Sequence, residues 1–392
     1  MKRTSLFSFL TIFLLLFTAS FAYATTYYVA TTGNDANPGT QAQPFRTIQK
    51  GVSAAANGDT VRVASGTYYE VISWNSKKLF LRGAGASQSI VSGSRATRCL
   101  RMDSVSSTLI EGFTFRDGYD ELLGGGGIFI NSSDPVVMNC IFSNNKGYIA
   151  PGGGLSIRGG NPAVVNCVFQ SNTATNARGG AIYNTQGNLT VTNCTFFNNS
   201  ASSGGSSVST VSGTSTITNC IVRGDAFSPI DTFVGTSTVN SSNVEGGYAG
   251  TGNINTDPKF VDAGNGNYRL QATSPCLNTG SVSAPNLPSS DLDGLPRIMG
   301  SAPDMGVYEF WSSASGVWFV DTATGNNTTG NGSPTSPYKT VAKGYAIASN
   351  GHKLYIKAGN YGTDKLPTLP RMTKSLRLFN WLDTGLSRIG KP

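Results

Sequence analysis

The sequence predicts an all-β fold, a parallel β-helix in which short strands wind into one stacked solenoid. Three observations predict it. Four Asn-Cys pairs end in Cys140, Cys167, Cys194 and Cys220, at steps of 27, 27 and 26 residues. A second marker, Gly127-Ile128, Gly154-Leu155, Ala181-Ile182 and Ser207-Val208, keeps the same steps. Two landmarks on one period mean that one unit repeats by stacking. Within a unit, runs such as Val168-Phe169-Gln170 and Leu189-Thr190-Val191-Thr192 alternate apolar and polar residues over strand lengths. No window of helical length separates them, and the repeats hold too many β-branched, Asn and Gly residues for an α-solenoid.

Coils of such a solenoid lie about 4.8 Å apart, as neighbouring strands do in any sheet. Equivalent residues then form columns. Cys140, Cys167, Cys194 and Cys220 make one inward column, with Phe113 as its earlier member. Asn139, Asn166, Asn193 and Asn219 make another, whose amides can hydrogen-bond along the axis. Parallel thiols about 4.8 Å apart do not match the converging Cβ atoms, about 3.5–4.5 Å apart, of a relaxed disulfide. The column is therefore expected to be free, buried thiols acting as small hydrophobes. Cys99 and Cys276 receive no partner.

The elements follow in order. Residues 1–24 read as a secretory signal, with Lys2 and Arg3, an apolar stretch from Leu6 to Phe17, and the small-x-small site Ala22-Tyr23-Ala24. The protein is expected to be exported, extracellular or on the outer cell surface. No later segment is long and apolar enough for a transmembrane span. Residues 25–66 read as an N-terminal cap: a strand at Tyr27-Tyr28-Val29, then turns, then a cap helix with Phe45, Ile48, Val52 and Ala55 on one face. A β-helix end exposes core and unpaired strand edge, which such a helix covers. Residues 67–255 are the coils and 256–312 a terminal segment. Residues 315–392 start a partial second cap, because Trp318-Phe319-Val320, Pro337-Tyr338-Lys339-Thr340-Val341 and Lys353-Leu354-Tyr355-Ile356 parallel the first cap in order.

The motifs Tyr27-Tyr28-Val29, Gly33-Asn34-Asp35, Pro44-Phe45-Arg46-Thr47-Ile48 and Gly58-Asp59-Thr60-Val61 resemble the opening segment of pectin-lyase-like right-handed parallel β-helix proteins of bacteria. That group includes family nine polysaccharide lyases and many non-enzymatic surface proteins. Asp257-Pro258-Lys259-Phe260, Asp291-Leu292-Asp293-Gly294, Pro296-Arg297 and Asp304-Met305-Gly306-Val307-Tyr308-Glu309 resemble the "choice-of-anchor" segment that ends secreted β-helix proteins. The resemblance implies a right-handed coil and a place at the cell surface, in adhesion or on polysaccharide.

The chain of 392 residues carries a formal net charge of +8 with only 13% charged residues. This mild balance favours an acidic glycan as partner and, without a basic cluster in an exported protein, excludes nucleic acid. A monomer is expected.

The chemistry is sparse. The one histidine, His352, lies in the tail, where it aligns with Asp59 as a turn residue. The body therefore lacks Ser-His-Asp or Cys-His groupings and His-based metal sites. Glycosidases need paired carboxylates, and lyases of this fold need acids for Ca²⁺ with a Lys or Arg as base. Between Asp134 and Asp225 there is no Asp or Glu. No cofactor is required, although Asp117, Asp120 and Glu121 share one loop and are the only acids in the coils grouped for Ca²⁺. The loops after each Phe-x-x-Asn run stack on one side of the rod and carry Arg116, Tyr119, Asn145, Lys146, Tyr148, Asn172 and Arg178. Aromatic, amide and basic groups in a row suit an extended sugar chain. A non-catalytic polysaccharide-binding or adhesion role leads. The alternative is a lyase or hydrolase of an acidic glycan, with Lys146 or Arg178 as base.

Overall fold

The computed structural model describes residues 24–225, 228–362 and 376–381, so the expected signal lies outside it but for Ala24. One coil shows how the sequence makes the solenoid. Ile128–Asn131 lies on a first face, Val136–Met138 on a second, Ile141–Ser143 on a third, and Lys146–Gly147 on a short fourth ladder. Each pairs in parallel with its equivalent one period on: Ile128 with Leu155, Val136 with Ala163, Ile141 with Val168, and Lys146 with Thr173. The first two faces belong to one 15-stranded sheet, the third has eight strands, and the short ladder has four.

The alternation of each strand fills the interior. Phe115, Phe142, Phe169 and Phe196 stack along the axis, the last two gaps with ring centroids 4.5 and 4.9 Å apart and planes within 7°. The cysteine column is buried and free of disulfides, as expected. The backbone N–H of Cys167 donates to Cys194 Sγ at 3.4 Å, and Cys194 N–H to Cys220 Sγ at 3.4 Å. Burial pushes the separate Cys99 thiol up to about 12.

The Asn column forms the corner between the second and third faces. Asn139, Asn166, Asn193 and Asn219 sit at φ of 53°, 57°, 50° and 58°, a left-handed conformation that Asn tolerates better than most residues. Their side chains link in pairs, Asn166 Nδ2 to Asn139 Oδ1 at 2.6 Å and Asn219 Nδ2 to Asn193 Oδ1 at 3.2 Å. Across the middle gap the terminal segment intervenes. Asn193 Nδ2 donates to the carbonyls of Asp304 and Gly306, each at 3.1 Å, and Asn166 Oδ1 accepts from Arg297.

At the N-terminal end, helix α1 (Ile48–Ala54) lays Ile48 and Val52 on the core beside Phe45 and Ala55. Thr47 caps it by accepting from Lys50 N–H, and the Glu70 carboxylate takes the free N–H groups of Ile48 and Gln49 at 2.8 Å. Helix α2 (Val341–Ile347) repeats this arrangement, with Thr340 accepting from Lys343 N–H and a parallel ladder of Val317–Val320, Lys353–Lys357 and Arg377–Trp381. His352 Nδ1 accepts from Ser349 N–H, as Asp59 Oδ2 accepts from Ala56 N–H. The two residues fill the same turn position.

Residues 260–310 fold back along the outside of the third face. Tyr268, Val307 and Tyr308 bury against Val168, with Ile141 and Phe197 packed at the edge. Arg297, 1% exposed, is the pin of this strap. It meets Glu309 at 3.1 Å and also donates to the carbonyls of Gly306 and Val307. Burial raises the Glu309 carboxyl, opposed by Arg297, and pushes Asp291 up to about 7 and Asp304 up to about 6.

Candidate functional site

The loops singled out by the sequence form the short ladder and the turns after it. Its outward row is Tyr119, Lys146, Thr173 and Ser200, each paired with the next. The turn residues that launch it, Asp117, Asn144, Ser171 and Asn198, all have φ between 50° and 57°. A cleft of about 370 Å³ opens beside this row, lined by Arg95, Tyr119, Asn144, Lys146, Ser171 and Thr173 among others. Lys146 Nζ lies 5.6 Å from the ring centre of Tyr148, and both side chains are exposed. Tyr119, Lys146 and Tyr148 are thus brought together on the surface. Arg116 stands at the end of its strand on the third face, half-buried and 3.7 Å from Asp117.

Asn145 borders the cleft with its side chain buried, and two further expected residues are placed elsewhere. Asn145 and Asn172 are fully buried. They belong to a second amide column, in which Asn145 Nδ2 donates to Asn172 Oδ1 at 2.9 Å and Asn172 Nδ2 to Asn199 Oδ1 at 3.0 Å. The second Nδ2 hydrogens reach carbonyls of the preceding coil, Phe115 and Phe142. Every side-chain polar atom is paired inside the wall, so neither amide has a hydrogen bond left for a ligand. The column ends on Asp225, which takes Asn199 N–H at 2.7 Å and the Ser207 hydroxyl, and which burial pushes up to about 7. Arg178 also leaves the row. It pairs with Asp231 and lies 5.4 Å from the Phe233 ring centre, so its charge is already matched.

The acids of the first loop have structural partners. Asp120 Oδ1 accepts from the N–H groups of Leu122, Leu123 and Gly124, and its other oxygen takes Arg98. Asp117 sits 3.6 Å from Arg95. Glu121 is exposed. Among the described residues no group of three or more His, Cys, Asp or Glu side chains gathers as a metal site would need. Asp120 closes a loop, the task its spacing from three successive N–H groups prepares it for.

Sequence reading missed the basic face beside these loops. Arg98, Arg101 and Arg158 all crowd the Phe129 ring, at 4.9, 5.4 and 5.5 Å from its centre. Asp120 and Asp103 neutralise the first two. Arg158 has no carboxylate partner among the described residues. The signal was present: Arg101, Phe129 and Arg158 fall on neighbouring strands, but only the pairing register brings them to one ring. Leu122 and Ile149 also escaped notice, two exposed apolar side chains on stacked loops.

Residues 70–258 match the family model described as a right handed beta helix region. The solenoid is a right-handed parallel β-helix. Residues 31–74 also match a family described only as a protein of unknown function (DUF1565). Among curated proteins, the chain is 25% identical over 134 residues to Uncharacterized protein YwoF of Bacillus subtilis (strain 168), a match covering 31% of this chain and 26% of that protein. The matched region thus spans about a quarter of that relative's length. Among solved structures, a rhamnogalacturonan lyase aligns at 15% identity over 56% of this chain and 68% of its own, with a TM-score of 0.38. Pectate lyase Pel9A aligns at 14% identity over 74% of this chain and 97% of its own, with a TM-score of 0.32. Pectin methylesterase PemA from Erwinia chrysanthemi aligns at 9% identity over 58% and 81%, with a TM-score of 0.36. Among the described residues no helix is long and apolar enough to cross a membrane.

Proposed function

We propose that this β-helix is an exported or surface-attached protein that binds polysaccharide along its short ladder without cleaving it. The observation that carries the reading is the cleft of Arg95, Tyr119 and Lys146, with Tyr148 beside it and coils stacked through it. Coils repeat about every 4.8 Å, close to the length of one sugar unit, so a chain running along the axis meets a new loop at each unit. Tyr119 and Tyr148 offer flat apolar surface, and Lys146, with no carboxylate partner among the described residues, offers a cation for acidic groups on the sugar, with the pair of Arg95 and Asp117 beside it. Arg158, on the face around the corner, extends the positive field.

Binding without cleavage follows from the groups that line the cleft. No carboxylate is among them, and the nearest acids, Asp117 and Asp120, are held by arginines and backbone N–H groups. No carboxylate pair lines the cleft beside the cationic side chains. The test is incubation of purified protein with pectins, alginates and glycosaminoglycans, with and without Ca²⁺, read for retention and for products. Retention without new unsaturated or reducing ends supports the reading. Turnover-level product formation overturns it in favour of a lyase or hydrolase, and absence of retention on every polymer removes the glycan role.

A further inference from the structure

A second cavity lies where the terminal strap begins, away from the short ladder. Phe197 ends its strand on the third face with its ring outward. Phe260 and Tyr268 of the strap pack on it, the three rings 5.4 to 6.3 Å apart. The outer side of this aromatic cluster opens into a cavity of about 340 Å³, lined by Phe197, Phe260, Arg223, Glu245 and Asp257 with neighbouring backbone. Arg223 is fixed at its edge, because Nη2 donates to Asn243 Oδ1 and to the Thr256 carbonyl. Its Nε is buried without a hydrogen-bond partner, which leaves the outer guanidinium edge to face the cavity. Glu245 receives Gly224 N–H on one oxygen at 2.6 Å, and its other oxygen has no partner among the described residues. Asp257 is exposed and pairs with Lys259 at 3.0 Å.

We propose that this cavity is a binding site for a neutral sugar unit. Aromatic wall meets the C–H face of a pyranose or furanose ring. Guanidinium donor and carboxylate acceptor side by side match a pair of neighbouring hydroxyls, each of which both donates and accepts. Charge gives no pull on acidic sugars: Glu245 balances Arg223 and Lys259 balances Asp257, so a ligand carboxylate meets no net positive charge and sits against two carboxylates. The ladder cleft, lined by Lys146 and Arg95 with no carboxylate among its lining residues, differs in this respect. The protein therefore carries two sugar sites of different preference, one on the ladder and one at the strap. This inference rests on the polysaccharide-binding reading but on separate residues.

The experiment is ligand-observed NMR and calorimetry with tetrasaccharides of glucose, galactose, xylose and arabinose, and with tetragalacturonate as the acidic counterpart. The wild type, Glu245→Ala and Lys146→Ala/Tyr148→Ala proteins are compared, with melting temperature as the fold control. Glu245 is exposed, so its loss spares the core. At least one neutral tetrasaccharide should bind the wild type and the ladder variant equally, and Glu245→Ala should weaken it about tenfold or more, the worth of one charge-assisted hydrogen bond. No binding of any neutral tetrasaccharide, or binding indifferent to Glu245→Ala, overturns the proposal. Loss of acidic-polymer retention in the ladder variant is a separate result, so the two sites fail independently.

Discussion

Arg297 donates to the side-chain oxygen of Asn166, a residue 131 positions earlier in the chain. The contact joins the terminal strap to the corner column of the β-helix and breaks that column's amide series in two. Arg297 also holds Glu309 in a site where both side chains are 1% exposed. Removing one partner of such a buried pair leaves the other uncompensated, which costs about 3–5 kcal/mol. Arg297→Ala should lower stability by about that amount in denaturant titration and open the strap to limited proteolysis before the coils. A cost like that of a surface ion pair, under about 1 kcal/mol, would show that the strap holds by its apolar contacts alone.

The buried carboxyls give stability a direction with pH. Burial pushes Asp225 and Asp291 up to about 7 and Asp304 up to about 6, whereas unfolded carboxyls titrate near about 4. The folded state thus binds these protons more tightly. Their contribution is full below about pH 4 and is lost as pH rises through about 6 to 7. The melting temperature should fall from about pH 5 to about pH 8, and Asp225→Asn should flatten part of the slope by continuing the amide column with an uncharged residue. A slope unchanged by Asp225→Asn would place the titration elsewhere.

The inner amide column should be costly to cut. Asn172 makes four side-chain hydrogen bonds, two given and two received, all buried. Asn172→Ala strands those partners and should destabilise the protein by about 3 kcal/mol or more. Tyr148→Ala, on an exposed loop, should cost under about 0.5 kcal/mol. Equal effects of the two substitutions in urea unfolding would contradict the assignment of one to the wall and the other to the surface.

The cysteines should remain thiols. Thiol titration of protein unfolded without reductant should find all six groups, since all six are free and buried. Two or more missing groups would mean that a disulfide had formed despite the parallel stacking.

The stacked fold was legible because two markers shared one period, and columns follow from period alone. The cysteine column and the corner asparagines stand where that arithmetic puts them. The Asn145 and Asn172 side chains are buried for a physical reason. Each follows a residue in the left-handed conformation, Asn144 at φ 54° and Ser171 at φ 54°. That turn breaks strand alternation, so counting outward from Phe142 or Phe169 gives the wrong face. The repeated Phe-x-x-Asn spacing was the available sign of an inward amide column. Arg178 was misjudged because its partner Asp231 lies two coils on, past a shortened repeat. The strap left no periodic trace at all: its contacts, such as Thr192 with the Pro285 carbonyl, span about a hundred residues without a shared beat.

The most direct test of the account is affinity electrophoresis on the acidic polymer that retains the wild type most strongly, comparing Lys146→Ala/Tyr148→Ala with Asn176→Ala. Asn176 is an exposed loop residue on the next coil that does not line the cleft. The account predicts that the double variant loses retention at an unchanged melting temperature and that Asn176→Ala migrates as the wild type does. Full retention in the double variant would contradict it and remove the short ladder as the binding face.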